Sequence, residues 1–523
     1  MDALNYDVEV FGIVITIPAK NSTRLVFKSI LFPLLALLPV FGMAGQLPSA
    51  PPEPRREFRG VWITTIHNVD WPTREGLPMQ EQQQQLVKML DRCADLGLNA
   101  VILQVRSECD ALYPSKTDPW SPWLTGTMGE SPGYDPLQFA IDAAHQRGLE
   151  LHAWFNPFRA INSDHGRISK SHISRTHPQY TVRYGPKVWL DPAIPEVRTR
   201  ALESVRDVLR RYDIDAVHLD DYFYPYPVKV DGSYQDFNDD KSWTAYRKTG
   251  GDLSRADWRR SHVNAFVNQV HRLVRKENPS CEFGISPFGI YRPGQPAQVK
   301  ASLDSYDQLY ADTRLWLREG WLDYIAPQLY WETSSKQYGF AGLHTWWNQE
   351  NVQHRHVWPG IAIYRINTEG RTAYDALKQI NLAKSGHVLF SMESLMANYS
   401  NVTKLLKSKA YTEVALPPSS PWLREDAGKL PLASLQVANR EKNAIEVSWE
   451  SSRSNSSKVR WWLIQTLSGA SWKTLRPVPG DVATLRIPGN PDHIAIRAVG
   501  HTGLLGAVNT IALSTAAASA SKP

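Results

Sequence analysis

From about residue 58 to residue 412, short runs with β-like patterning alternate with amphipathic helical ones. The strand candidates are FRGVWIT from Phe58, NAVILQVR from Asn99, LELHAWFN from Leu149, IDAVHLDDY from Ile214, CEFGISPFG from Cys281, LDYIAPQLYW from Leu322, RHVWPGIAIY from Arg355 and SGHVLFSME from Ser385. Between them, QEQQQQLVKMLDRCADLG, PLQFAIDAAHQRG, IPEVRTRALESVRDVLRRY and RADWRRSHVNAFVNQVHRLVRKEN repeat apolar residues with helical periodicity and often end in Gly or Asn. Strict alternation of strand and helix predicts a parallel sheet. Eight repeats, with no Gly-x-Gly-x-x-Gly turn after the first strand, predict closure into a (β/α)8 TIM barrel rather than an open sheet.

Past the turn-rich PPSSP of a linker at residues 413–429, the pattern changes to short alternating strands without helices: LASLQVA, AIEVSWE, KVRWWLIQTL, VATLRI, HIAIRAVG and NTIALS. These predict a small all-β sandwich of the fibronectin type III sort over residues 430–515, followed by a structureless tail at 516–523. The default role for such a module is structural or substrate-presenting. At the other end, ILFPLLALLPVFGM spans Ile30 to Met43, 14 apolar residues preceded by Arg24 and Lys28 and followed by small residues. A membrane span needs roughly 20, so residues 1–44 are expected to be a secretory signal cleaved after Ala44, with a Pro-rich linker at 45–57. The expected location is the periplasm or cell envelope.

The composition, 42% hydrophobic and 21% charged, excludes a disordered or fibrous chain. Lys+Arg 58 against Asp+Glu 52 leaves +6, but no basic run of five residues occurs, so no nucleic-acid partner is expected. Cys93, Cys109 and Cys281 form neither a CxxC pair nor an even framework, which excludes a disulfide-stapled or zinc-ribbon protein. The 19 Trp and 21 Tyr are compatible with stacking faces for sugars.

In a barrel the site lies at the C-terminal strand ends. In DAVHLDDYF, Val217 and Leu219 should face the helices, which turns His218 and Asp220 inward and leaves Asp221 at the tip, followed by Tyr222. The same rule gives Trp62, Thr64, Gln104, Arg106, His152, Trp154, Asn156, Ser286, Gln328, Tyr330, Tyr364, Ser391 and Glu393, with Asp110, Asp312 and Glu332 near other strand ends. Carboxylates, amides and rings at a barrel mouth predict a cleft for a polyhydroxylated ligand. Adjacent carboxylates push one pKa up and leave a proton donor near neutrality, as glycoside hydrolysis requires. Asp220 and Asp221 suit a site in which one group protonates and the other orients a substrate acetamido group, because neighbours on one strand cannot flank opposite faces of a sugar. Glu393 is the candidate for a second carboxylate from another strand. His152 and His218 lack an HxxxH or HExxH setting, so hydrogen bonding to sugar hydroxyls is expected, with no metal and no cofactor.

Several strings stand in one order: FRGVWITTIHNVDWP, LGLNAVILQVR, DALYPSKTDPWSPWLTG, GYDPLQFAIDAAHQRGLELHAWFNPFR, LDPAIPEVR, VHLDDYFYPYP, EFGISPFGIYR, YADTRLWLREGWLDYIAPQLYW and GIAIYR. Over residues 56–412 the chain resembles the glycosyl hydrolase-like ten family. The resemblance implies a (β/α)8 barrel hydrolysing glycosidic bonds, in exported members those of peptidoglycan glycan strands stripped of stem peptides, with envelope or divisome proteins as partners. It carries the acidic pair over to Asp220 and Asp221, and cleft positions to Arg106, Asn156, Gln328 and Tyr330. Two departures stand out: no lipid-accepting cysteine follows the apolar run, and the C-terminal β module resembles additions in other branches of the family. A catalytically silent glycan-binding protein and a metal-dependent polysaccharide deacetylase on a related barrel are the competing readings.

Overall fold

The structure, a computed structural model, describes residues 50–162, 168–334, 339–368, 370–424, 430–451 and 459–513, and the backbone of an antiparallel hairpin, Tyr6–Val10 with Ile13–Ile17. The hairpin belongs to a separate unit, Met1–Ser49. The apolar run at 30–43 and the tail at 516–523 lie outside the described residues. No helix among the described residues is long and apolar enough to cross a membrane.

Eight parallel strands form the core of the second unit. They are β1 (Phe58–Ile63), β2 (Ala100–Arg106), β3 (Glu150–Phe155), β4 (Ala216–Leu219), β5 (Glu282–Ile285), β6 (Tyr324–Ile325), β7 (His356–Val357 and Gly360–Ala362) and β8 (Gly386–Phe390). β7 is interrupted at Trp358–Pro359, where the proline has no N–H to donate. Its first half pairs with β6 and its second with β8, so the sheet closes on itself through this break. Trp358 N–H donates to Ile325 O (2.9 Å) and Val388 N–H to Pro359 O (3.1 Å), carrying the ladder across. The fold is a (β/α)8 barrel.

Helices on the outside bury the stripes that the sequence pattern shows. In Met79–Leu96 the buried residues include Leu86, Met89, Leu90 and Cys93, spaced three and four apart, and the helix ends at Gly97 in the left-handed conformation (φ 95°). The barrel interior is filled by rings instead of the usual branched aliphatics. Phe58 and Trp358 stack at 3.8 Å, and Tyr324 crosses from β6 toward β5. A Cβ at Gly284 would lie 2.1 Å from the Tyr324 ring, so glycine at this point of β5 is what admits the tyrosine.

Beyond Pro421 the chain forms an antiparallel β-sandwich. One sheet comprises Ser434–Glu441, Ala444–Glu450 and Thr484–Pro488; the other comprises Ser471–Thr474, Val459–Ser468, His493–Gly500 and Leu505–Ala512, with the short Val478–Pro479 also paired to Val459–Ser468. The near-continuous apolar run VRWWLIQTL is explained by burial on both faces: Trp462 and Ile464 enter the sandwich core, while Trp461 and Leu463 pack with Leu416. The module is docked on the barrel rather than merely tethered to it. Arg460, 7% exposed, reaches Asp213 (2.8 Å) and Asp215 (2.6 Å), the latter just before β4. Arg476 donates to Arg147 O (2.9 Å), Arg56 to Gly503 O (2.8 Å) and Trp422 to Asp323 Oδ1 (2.9 Å). These contacts lie at the N-terminal strand ends, opposite the barrel mouth.

Truncating Arg460 leaves Asp215 buried without its main cation, a defect that typically costs about 3–5 kcal/mol. Urea unfolding of Arg460→Met is expected to show a loss of that order; an unchanged midpoint would mean that the module does not dock on the barrel in solution.

Candidate active site

β4 ends at Leu219, and past its tip the strict alternation lapses. Asp220 and Asp221 therefore both line one cavity of about 170 Å³ at the C-terminal strand ends. Its walls are aromatic: Trp62 from β1, Trp154 from β3, Tyr222 after β4, Tyr330 after β6 and Phe390 at the end of β8. Thr64, Ile66, Gln104, Arg159, Ser286 and Gln328 complete the lining. Tyr364, 40% exposed, stands at the rim with its ring 6.1 Å from Tyr330 and 5.9 Å from Phe390.

A chain of amides positions the first aspartate. Gln104 Oε1 accepts the backbone N–H groups of Thr65 (3.0 Å) and Ile66 (3.0 Å), which forces its Nε2 to point the other way, to Asn156 Oδ1 (2.8 Å). Asn156 must then present Nδ2 to Asp220 Oδ2, while Asp220 Oδ1 accepts from Tyr222 N–H (3.1 Å). Arg106 braces this from behind, donating to Asp118 (2.8 Å) and to Asn156 O (2.6 Å). Asp221 Oδ2 accepts from the Tyr226 hydroxyl, and its Oδ1 makes no hydrogen bond.

Both carboxyls are buried, Asp220 at 4% and Asp221 at 2% exposure. Burial and then the charge of Asp220 push Asp221 up to about 7. Burial also raises Asp220, but the Arg159 charge, the Tyr222 N–H and the Asn156 amide oppose it. The pair titrates as a unit, with Asp220 holding the charge and Asp221 the proton just below neutrality.

Beneath the cavity floor the histidine tautomers follow from one group that can only donate. Trp62 Nε1–H lies 3.3 Å from His218 Nε2, so that nitrogen is the acceptor, and Ser286 Oγ (2.9 Å) donates to it as well. His218 Nδ1–H then donates to Tyr324 Oη (2.9 Å), whose hydrogen passes to His152 Nδ1 (2.9 Å), leaving His152 Nε2–H for Glu150 (3.3 Å). Burial holds both imidazoles below their ordinary pKa, consistent with neutral rings.

The expected residues therefore divide. Asp220, Asp221, Trp62, Gln104, Trp154, Tyr222, Ser286, Gln328 and Tyr330 line the cavity. Asn156 and Arg106 support it without lining it, and His218 and His152 form the buried row below, not the sugar-facing surface expected of them. Asp110 accepts the backbone N–H groups of Ser107 (2.9 Å) and Glu108 (2.7 Å) and braces its own loop. Asp312 caps the helix Thr313–Arg318 and accepts from Tyr291 (2.9 Å). Glu393, expected to face inward, is exposed on the first turn of Met392–Ala397, where it accepts from Tyr399 (3.0 Å); the strand has already given way to a helix there. Sequence reasoning passed over Arg159, Tyr226, Ile66 and Phe390. The first two stand inside WFNPFR and LDDYFYPYP, but past the strand tips, where period-two alternation assigns no direction. No group of three or more His, Cys, Asp or Glu among the described residues could hold a metal ion.

The family described as Glycosyl hydrolase-like 10 matches residues 57–376. Glycosyl hydrolase YngK of Bacillus subtilis (strain 168) is 38% identical over 437 residues, 80% of this chain and 84% of that protein. Glycosyl hydrolase DigH of Escherichia coli (strain K12) is 36% identical over 355 residues, 64% of this chain and 79% of that protein. The glycoside hydrolase domain of PgaB (BpsB) from Bordetella bronchiseptica superposes with a TM-score of 0.45 at 12% identity, covering 68% of this chain and 99% of that one.

A raised carboxyl pKa in the folded state makes stability fall as pH rises. The unfolded chain releases the Asp221 proton near the ordinary carboxylate value of about 4, and the folded one at about 7, so the loss accrues between these limits. Asp221→Asn has no such proton. Its urea midpoint is expected to gain on the wild type through that window and to level off above it; a pH-independent difference would contradict the assignment.

Proposed function

Since the chain belongs to the glycosyl hydrolase-like 10 family, we propose that it is an exported glycoside hydrolase that cleaves glycosidic bonds in peptidoglycan glycan strands, with the substrate's own acetamido group as nucleophile. The observation that carries this reading is that Asp220 and Asp221 are the sole carboxylates among the described residues lining the cavity. Asp312 is occupied as a helix cap and Glu393 points to solvent, so neither supplies a base or nucleophile on the far side of a sugar. A water-spanning inverting pair, typically about 6.5–9.5 Å apart across the ring, does not fit consecutive residues on one strand end. Peptidoglycan sugars carry the acetamido group that the arrangement lacks. The aromatic walls suit stacking on pyranose faces, and the apolar run after Arg24 and Lys28 supports export to the envelope.

In this mechanism Asp221, with Oδ1 free to carry the proton, protonates the departing glycosidic oxygen. Charged Asp220 accepts the acetamido N–H and turns the carbonyl oxygen onto the anomeric carbon. The C–O bond to the leaving sugar breaks as the oxazolinium ring closes. Water then opens the ring, giving its proton to Asp221, and the anomeric configuration is retained.

Digestion of glycan strands freed of stem peptides, analysed by mass spectrometry, tests this directly. Reducing-end products are expected, Asp220→Asn should lower turnover by ~10²- to 10⁴-fold with glycan binding kept, and an N-acetylglucosamine thiazoline should inhibit. Cleavage of de-N-acetylated strands at the same rate would refute substrate assistance. Retention of strands without products would favour a binding protein, and acetate release abolished by chelator would favour a deacetylase.

A further inference from the structure

The segment Tyr222–Pro227 is shared by two cavities. Tyr222 lines the catalytic one and the Tyr226 hydroxyl bonds Asp221, whereas Tyr224, Pro225 and Pro227 line a second cavity of about 170 Å³. Tyr184, between β3 and β4 in the chain, and Gln308 and Tyr310, between β5 and β6, form its other walls, so this cavity too belongs to the loops at the C-terminal strand ends. Five residue steps separate Tyr222 from Pro227, at most ~18 Å. A short run of sugars covers that span.

The rings of the second cavity are held in place at some cost. Tyr224, 1% exposed, meets Tyr310 edge-on at 4.8 Å. Tyr310 reaches that position in the left-handed backbone region (φ 53°), which a bulky residue keeps only where its surroundings impose it, and its hydroxyl accepts from Arg259 (2.6 Å). Tyr234 is 66% exposed at the end of the small hairpin Lys229–Val230 with Ser233–Tyr234, a ring that belongs to no core. No Leu, Ile, Val or Met lines the cavity among the described residues, so it lacks the aliphatic surface that would bury an apolar anchor of a protein partner.

Its polar groups are directed and leave no charge unmatched. Gln235 Oε1 accepts Gly185 N–H (2.8 Å), and Gln308 Oε1 accepts Asp304 N–H (2.8 Å). A backbone N–H can meet only the carbonyl end of an amide, so each Nε2 is turned away from that contact, and neither makes a hydrogen bond among the described residues. The two lining acids are already answered: Asp236 accepts from Arg259 (2.9 Å) and Asp307 from Arg292 (2.8 Å). Two unengaged amide donors, carboxylate lone pairs and tyrosine faces complement a ligand with an acetamido carbonyl, hydroxyls and a pyranose ring, and no net charge.

We propose that this second cavity is a distal subsite that binds an uncharged N-acetylhexosamine unit of the glycan strand whose bond is cut beside Asp221. The proposal rests on the glycosidase reading of the first cavity and extends it: the enzyme grips the strand away from the cut and so prefers polymer to fragments.

The test compares kcat/KM on long stripped strands and on tetrasaccharides made from them. Wild type is expected to favour the long strands by about 10-fold. In Tyr234→Ala that ratio should fall by about 3- to 10-fold, the worth of one stacked ring, and Tyr234→Phe, which keeps the ring, should retain it. A packing role would lower both lengths together and leave the ratio intact. A wild-type ratio near one, or a ratio kept by Tyr234→Ala, as a protein-docking role would give, overturns the proposal. If wild type cuts neither length, the glycosidase reading falls and the neutral probe chitotetraose, titrated calorimetrically, decides the subsite alone: affinity about 3- to 10-fold weaker in Tyr234→Ala supports it, and equal affinities overturn it.

Discussion

Two carboxyl groups on consecutive residues, both out of water, cannot both be ionised at neutral pH without a large electrostatic cost. The barrel mouth answers to that constraint. One proton is kept between them, and the donors around the pair decide where it sits. The backbone of the β1 loop orients Gln104, Gln104 orients Asn156, and the Arg159 charge, with the Tyr222 N–H and Asn156, makes Asp220 the better anion. Asp221, offered only the Tyr226 hydroxyl, is left as the acid. A general acid and a polar orienter thus arise from two identical side chains through one unequal charge and unequal hydrogen bonding.

The same electrostatics operate at the opposite end of the barrel with a different solution. Glu150 and Glu282, at the N-terminal ends of β3 and β5, are each pushed up to about 8, mainly by burial. Burial would raise Asp215 as well, but Arg460 and His145 more than reverse it and hold that carboxyl below the ordinary range. The arginine comes from the C-terminal sandwich, so the module that follows the barrel supplies a charge the barrel needs. Between the two ends lie the stacked interior rings and the row Trp62–His218–Tyr324–His152, in which every ring nitrogen has a defined role.

How much of this could be read in the sequence follows from the range of the forces involved. The eight strands, their parallel order and the inward direction of Trp62, Gln104 and Trp154 rest on local periodicity, which the chain displays openly. β7 reads as one strand because RHVWPGIAIY is apolar from Val357 onward; only the missing N–H of Pro359 splits it. Glu393 was expected inside because SGHVLFSME alternates, but the alternation ends at Phe390, where the chain turns into a helix. Arg159, on the short strand Arg159–Ile161, and Tyr226 reach the site from segments past the barrel-strand tips, where side-chain direction is set by tertiary packing. The docking of the sandwich was not legible at all, since it pairs Arg460 with acids some 245 residues away in the chain. The double-sided burial of VRWWLIQTL was its one local sign.

The central claim is that the aspartate pair holds one proton at rest, on Asp221. Difference infrared spectroscopy between wild type and Asp221→Asn measures this without substrate, because the other buried acids cancel. At about pH 6, below the Asp221 value of about 7, the wild type is predicted to show a protonated-carboxyl C=O band that the variant lacks. A carboxylate band in its place, with no protonated carboxyl, would mean that both aspartates are ionised and would contradict the account.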